Sequence, residues 1–447
     1  MPLRWKYAVA TLALAATVSF TPAAAQNVNV ARDAEIEALV ADYARPLLEA
    51  AGLRSDEIEI ILVRDNSFNA FVAGRRLFIN TGTFLAAETP NEIIAVLAHE
   101  IGHIAGGHQE RLREQMAAAK TQAIIAQIAG TGAAVAGAAS DSRGLSGAGQ
   151  GLMMGGPEAI RRNFLAYKRS EESAADRAAV RYLEATGQSP VGLQRTFKRF
   201  QQQRALDGTV RNAYLMSHPL PRERLAAIDA LVRASPNRDK KDSAALQRRH
   251  DRARAKVAAC TAGPGAASRL IAEESRSARS YADAIETYLR GDPREAVGKI
   301  DAVIADNPND AYVHEMKGEI LLRVGRPAEA VGSFRKALAL DGNRSAILRG
   351  EIGRALLATD DPTQFADAIS NLKQAVVLDP TYVRAHRDLA KAFTRIGDNA
   401  AAYLSLAEAF YAQGRKKRAK IFARRAQDAY EAKGPGWLRA QDIIGAS

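Results

Sequence analysis

This 447-residue chain has a single cysteine, Cys260, so it can form no internal disulfide. Its stability must come from packing, with a bound metal as the other available brace. Long apolar runs are also scarce. Beyond the first 25 residues, the Ala-rich segment 116–129 carries Lys120, Gln122 and Gln127 and cannot span a bilayer comfortably. A peripheral membrane contact is the most it offers. Acidic residues are outnumbered, 50 against 62 Lys and Arg, for a formal charge of +12. That balance suits anionic surfaces or acidic partners. With 47% hydrophobic and 6% aromatic residues, the chain has the material for two or three domains with ordinary cores.

The first residues have their own pattern. Arg4 and Lys6 precede an apolar run from Ala8 to Phe20, followed by Thr21, Pro22 and the small residues Ala23 to Ala25. This is the three-part layout of a cleavable secretory signal over 1–25, with cleavage expected after Ala25. Export argues against nucleic acid as a partner.

Residues 26–235 mix helical patterns with short β-branched runs. "EIEIILVRD" at 57–65 and "RRLFINTG" at 75–82 read as strands, and 32–51, 90–105, 171–186, 191–205 and 222–233 read as helices. We expect an α+β domain with a small sheet. Between 130 and 156 the chain becomes rich in Gly, Ala and Ser and loses periodicity, which predicts a mobile loop or lid. The charged stretch 236–259 predicts a solvated linker or an exposed helix, within a linker over 236–276.

From 277 to 447 the chain repeats itself. Ala296, Ala330, Ala368 and Ala402 recur at spacings of 34, 38 and 34, with Ile300, Phe334, Leu372 and Leu406 in step. That period predicts an all-α solenoid of tetratricopeptide repeats, paired helices whose small residues permit close approach. A basic helix over 416–430 can cap the stack, and its 415–425 portion is a candidate contact for acidic protein or lipopolysaccharide.

The chemistry concentrates in "VLAHEIGHIAGGH" at 96–108, which holds three of the seven histidines. Thr89 as N-cap, Pro90 and Glu92 predict a helix closed by a capping box, ended by Gly106 and Gly107. His99 and His103, four apart, then share a face and can bind one zinc ion, with Glu100 beside the metal to act on water. A catalytic zinc needs a third protein ligand. Position 109 is Gln where a metzincin has histidine, and 119–127 lacks the glutamate of a thermolysin-like arrangement. The helix at 169–185 supplies acids instead: of Glu172 and Asp176, one can reach the metal while the other orients a histidine, with Glu171 competing as ligand. His108, His250, His314 and His386 read as structural or surface residues.

"HEIGH" at 99–103, the E-x-x-A-D of Glu172 to Asp176, "FNAFVAG" at 68–74 and "SHPLPRER" at 217–224 occur in the order seen in HtpX-like and CAAX-prenyl-endopeptidase-like zinc metallopeptidases. With a signal ahead and repeats behind, the chain most resembles their periplasmic members. The resemblance implies a zincin-like (gluzincin) domain and one zinc ion per chain. His99, His103 and Glu172 would be the metal ligands, Glu100 the general base and Asp176 an orienting group behind a ligand. It further implies that His218 closes over the metal as a displaceable plug and that Arg224 lies near enough to stabilise an oxyanion. Asn69 and Phe71 would border a cleft where substrate adds as a strand. The 130–156 segment lacks the hydrophobic spans of membrane-embedded members, which disfavours a prenylated substrate.

The implied activity is a periplasmic endopeptidase removing misfolded or stalled envelope proteins, with the repeats binding clients or outer-membrane assembly machinery. The competing reading is a chaperone or adaptor with a silent zinc site. Glu100 favours catalysis, because a structural zinc has no use for a base between its histidines. A peptidase acting on cell-wall peptides would want a wall-binding module, and none is recognisable.

Overall fold

The computed structural model describes residues 29–140, 142–207 and 213–446. The expected secretory signal lies outside the described residues. The first part of the chain folds as α1 (Ala34–Ala50), β1 (Glu59–Val63), β2 (Ala70–Ala73), β3 (Arg76–Asn80), α2 (Thr81–Ala86), α3 (Pro90–Ala105), α4 (His108–Ala139), α5 (Arg143–Ala185), α6 (Val191–Asp207), α7 (Ala213–Ser217) and α8 (Arg222–Ala234). The three strands form one sheet in the order β1-β3-β2, with β1 parallel and β2 antiparallel to β3. The outer side of β1 is partly covered, because Ala31 N donates to Leu62 O and Arg64 N to Asn29 O, each at 2.8 Å. Among the described residues, the outer side of β2 has no neighbouring strand.

The centre of this part is α3. Ile93 to Ala98 and Ile101 are all buried, against α1, α5, α6 and β2. Each of the isoleucines, Val96 and Leu97 contributes roughly 1.5–3 kcal/mol by leaving water. Pro90 stands at the first turn as expected, but the capping box does not form. Thr89 makes no side-chain cap bond, and Glu92 turns inward to pair with Arg199 at 2.7 Å, a buried carboxylate preferring a guanidinium to an exposed amide.

The described residues of 130–156, expected as a mobile loop, instead lie almost wholly in α4, which ends at Ala139, and α5, which begins at Arg143. The two helices run side by side as a hairpin: near their far ends Arg111 pairs with Glu171 at 2.7 Å. Glycine lowers intrinsic helicity by about 1 kcal/mol per residue. A helix laid alongside supplies the packing that local propensity lacks. No helix among the described residues is long and apolar enough to cross a membrane.

The charged stretch 236–259 also departs from expectation. It contains α9 (Ala244–Thr261), a helix as one reading of its sequence allowed, but one that is buried at His250 and from Arg252 to Ala259 rather than exposed along its length. Ala253 and Val257 join the core around α3, while Ala255, Ala258 and Ala259 join the core of the following helices. Its charges are matched by residues far away in sequence: Arg252 Nε bonds Glu35 at 2.7 Å and pairs with Asp310, and Lys256 sits 2.8 Å from Asp33 and 3.5 Å from Glu315. Arg254, on the same helix, is buried with its guanidinium bonded to the backbone carbonyls of Leu85 and Leu270 instead, so these buried groups are met either by an opposite charge or by carbonyl acceptors.

After α10 (Ala266–Leu270) come the repeat helices α11 (Arg276–Arg290), α12 (Pro293–Asp306), α13 (Ala311–Arg323), α14 (Pro327–Leu340), α15 (Ala346–Ala358), α16 (Phe365–Leu378), α17 (Val383–Arg395), α18 (Asn399–Ala412) and α19 (Lys416–Ala429). Gly318 and Gly353 explain the close pairing: a Cβ at either would fall within 2.6 Å of Phe334 or 2.4 Å of Leu372. The basic helix α19 does not close the stack. That place falls to α20 (Pro435–Gly445), whose Ala440 and Ile443 pack on Ala419, Ala423 and Ala426. The start of α1 enters the repeat core through Ala34, and Arg32 bonds Asp379 at 2.7 Å while lying over the Tyr382 ring.

Candidate metal centre

Two helices each contribute an i, i+4 pair to one buried spot. His99 and His103 project from α3, and Glu172 and Asp176 from α5. Gly102 lets the helices meet, since a Cβ there would stand 3.1 Å from Ala175 O. His218, just past α7, completes the group, and all four donor side chains of His99, His103, Glu172 and His218 come within 4.8 Å of one another. His99 Nε2 is 3.1 Å from His103 Nε2, 3.4 Å from His218 Nδ1 and 3.5 Å from Glu172. Glu172 is 3.6 Å from His103 Nε2 and 3.1 Å from His218 Nδ1. A tetrahedron of ligands about 2.0–2.1 Å from zinc has edges of ~3.4 Å, so the donor set fits a small tetrahedral cation. Hydrogen bonding alone does not account for nitrogen lone pairs converging in this way.

The far side of each imidazole on α3 is also held. His99 Nδ1 lies 3.0 Å from Asp176, which fixes the proton on Nδ1 and frees Nε2 for the shared spot. His103 Nδ1 lies 2.8 Å from His108 Nδ1, whose Nε2 is 3.0 Å from Glu171. Glu171, the competing ligand by type, therefore stands behind His108 and Glu172 stands in the group. His108, read as structural or surface from sequence, is a buried support for His103. Gly106 makes this feasible, because a Cβ there would meet the His108 ring at 2.3 Å.

Charge follows the geometry. Burial works against ionising Asp176, but Arg224 and His99 outweigh it and hold its carboxyl below the usual range. Burial, with a charged His99 close by, pushes His103 well below the ordinary imidazole value and keeps it neutral. For His99 burial again opposes the charge, while Asp176 and Glu172 hold it up at about 9, so a metal ion at the shared spot would take the place of the Nε2 proton. Glu100 is buried with no hydrogen-bond partner on either oxygen, and burial raises its pKa. His218 Nε2 is 3.4 Å from it.

Residues 30–232 match Peptidase family M48, and residues 281–345 match a tetratricopeptide repeat family. Residues 30–232 form an M48 peptidase domain. The chain is 22% identical over 320 residues to the beta-barrel assembly-enhancing protease of Escherichia coli K12, covering 69% of this chain and 62% of that one. It is 23% identical over 328 residues to the Yersinia pestis protein of the same name, covering 71% of this chain and 65% of that one. The chain thus spans less than two thirds of the length of these relatives.

Within the M48 domain, Arg224 does not present itself to the cleft as an oxyanion donor. Its Nε and Nη2 bond Asp176 at 2.6 and 2.8 Å, and Nη1 reaches Pro219 O at 2.8 Å and Glu172 at 2.9 Å. All three nitrogens are engaged, so the guanidinium clamps the two carboxylates of α5. Tyr214, which no sequence motif singled out, stacks on His218 with ring centroids 4.6 Å apart and meets Phe68 edge-on at 5.8 Å. Asn69 and Phe71 lie along β2 rather than in the metal group. Asn69 backbone binds Thr83 and Asn80, and Phe71 stacks on Phe78 at 4.7 Å. Gln109 bridges the open side of β2, accepting from Gly74 N at 2.8 Å and donating to Val72 O.

Proposed function

We propose that this protein is an exported zinc-dependent endopeptidase of the envelope, acting on misfolded or stalled proteins and held silent by its own histidine. The observation that carries the reading is the four-donor group of His99, His103, Glu172 and His218 set beside a buried Glu100 that makes no hydrogen bond. His99, His103 and Glu172 are the permanent ligands. Zinc bound there would supply Lewis acidity toward a scissile carbonyl and toward water. Glu100 takes the proton of the attacking water and delivers it to the leaving amine, a role that suits a carboxylate whose basicity burial has raised. Asp176 and His108 fix the tautomers of His99 and His103, and Arg224 holds Asp176 and Glu172 in place.

His218 fills the position that a reaction needs open. Its withdrawal, with the 218–221 segment, is the activating step, and Tyr214 stacking sets its resting position. Substrate lies along β2 near Asn69 and Phe71 by backbone hydrogen bonds, which suits unfolded clients of varied sequence. The periplasm as location, and envelope clients or outer-membrane assembly machinery as partners, are supported by the signal pattern at 1–25 and by the names of the relatives. The completed donor set also favours a second activity, holding clients without cleaving them while the plug is closed.

Bound zinc and cleavage of unfolded casein, measured for wild type, Glu100→Gln, Glu172→Ala and His218→Ala, test the reading. We expect about one zinc per chain, activity lost but metal kept in Glu100→Gln, metal weakened in Glu172→Ala, and activity raised in His218→Ala. Zinc without proteolysis in any variant would leave the chaperone or adaptor reading standing.

A further inference from the structure

Beside Glu172 the M48 domain has a cavity of about 740 Å³ between α5, the end of α6, α7 and the start of α8. Its floor and walls are apolar, chiefly Phe200, Leu215, Leu220 and Leu225. Its rim is cationic. Lys168 and Arg169 come from α5 and Arg222 from α8, and none of the three forms an ion pair among the described residues. Glu172 is the only carboxylate in the lining, and it is already engaged by His218 and Arg224. Like charges gathered around a low-dielectric opening repel one another, and an incoming anion relieves that cost.

We propose, building on the endopeptidase reading, that this cavity is a specificity pocket for client chains that carry a large apolar side chain with an Asp or Glu next to it in sequence. The volume lies in the range of pockets that accept sizeable ligand groups. Because Glu172 belongs both to the wall and to the metal group, an apolar side chain seated here sits within a residue or two of the bond at the metal, at ~3.3 Å of extended chain per residue. The carboxylate beside it meets Lys168, Arg169 or Arg222. Pro219 and Pro221 also line the cavity, so the chain segment that carries His218 forms part of the pocket wall. A client filling the pocket therefore presses on the plug segment itself, and selection and opening become one event.

Two unfolded peptides of equal length test this, each with a central Leu-Phe and differing only in flanking Asp or Lys residues. Their binding to Glu100→Gln is read by fluorescence anisotropy and their cleavage by the wild type. The expected result is about tenfold tighter binding and faster cleavage of the acidic peptide. The preference should weaken with added salt and reverse in the triple variant Lys168→Glu, Arg169→Glu, Arg222→Glu. Equal binding of both peptides, or an unchanged preference in the triple variant with native circular dichroism, overturns the pocket. If the acidic peptide binds selectively to Glu100→Gln but neither peptide is cut by zinc-loaded wild type or His218→Ala, the endopeptidase reading fails and the pocket stands as a binding site.

Discussion

His108 Nδ1 lies 2.8 Å from His103 Nδ1, so one histidine that faces the metal group is held by another that does not. Glu171 in turn holds His108. Support of this kind typically changes metal affinity 10- to 100-fold. We expect His108→Phe and Glu171→Gln to weaken zinc binding by about that much, with His108→Ala at least as severe. A competitive chelator titration reads it, and unchanged affinity in both variants would remove the support role.

The Gln109 side chain occupies backbone groups of β2 that an added strand would use, those of Val72 and Gly74. Substrate pairing there must displace it. Gln109→Ala is expected to lower KM a few-fold for extended unfolded substrates with little change in kcat, since a net hydrogen bond is worth about 1 kcal/mol. Steady-state kinetics in the His218→Ala background separate the two parameters. A KM that does not move places substrate elsewhere.

Arg252 is paired with both Glu35 and Asp310 inside the protein. Removing one partner of a buried ion pair costs about 3–5 kcal/mol because the other charge is stranded. Arg252→Ala should lower Tm measurably by scanning calorimetry, whereas Lys240→Ala, at an exposed position, should not. Equal melting of the two variants would show that the pairing adds nothing.

Glu315 carries a pH dependence whose sign follows from its surroundings. Burial raises its carboxyl to about 8, against the opposing pull of Lys256 and with the help of Asp33 and Glu35. An unfolded glutamate titrates at 4.5, so between that value and about 8 the folded chain holds a proton that the unfolded chain has released. Stability from this residue therefore falls as pH rises across that window. Thermal melts at pH 5.5 and 8 should show a smaller loss on going to pH 8 for Glu315→Gln than for wild type. A larger loss in the variant would reverse the assignment.

The pairing of residues on α3 is the most legible part of the sequence, because an i, i+4 spacing relates residues on one helix and needs no knowledge of anything else. His99 with His103, and Glu172 with Asp176, are both read that way. Whether Glu171 or Glu172 meets the histidines depends on how α3 crosses α5, a contact set by Gly102 and Ala175, and spacing along one helix does not carry that information. His108 was missed because two glycines break the periodicity just before it. The segments 130–156 and 236–259 were misread for a shared reason. Composition reports what a stretch would do alone, while the hairpin of α4 and α5 and the pairing of Arg252 with Glu35, 217 positions away, depend on partners supplied by the rest of the chain.

The double membership of α9 bears on how such a chain can be recombined. Ala253 and Val257 belong to one core, Ala255 and Ala258 to that of the first repeat helices, and Ala34 of α1 reaches into a third, that of the later repeat helices. The solenoid is consequently not an interchangeable cartridge. A chimera spliced just before α11 would receive a repeat array missing one of its own inner walls, and would leave a peptidase whose charged helix has lost Asp310 and Glu315 as partners. Transplanting the repeats onto a different catalytic domain would require carrying α9 and the start of α1 with them, so these two segments mark the true seam of the molecule.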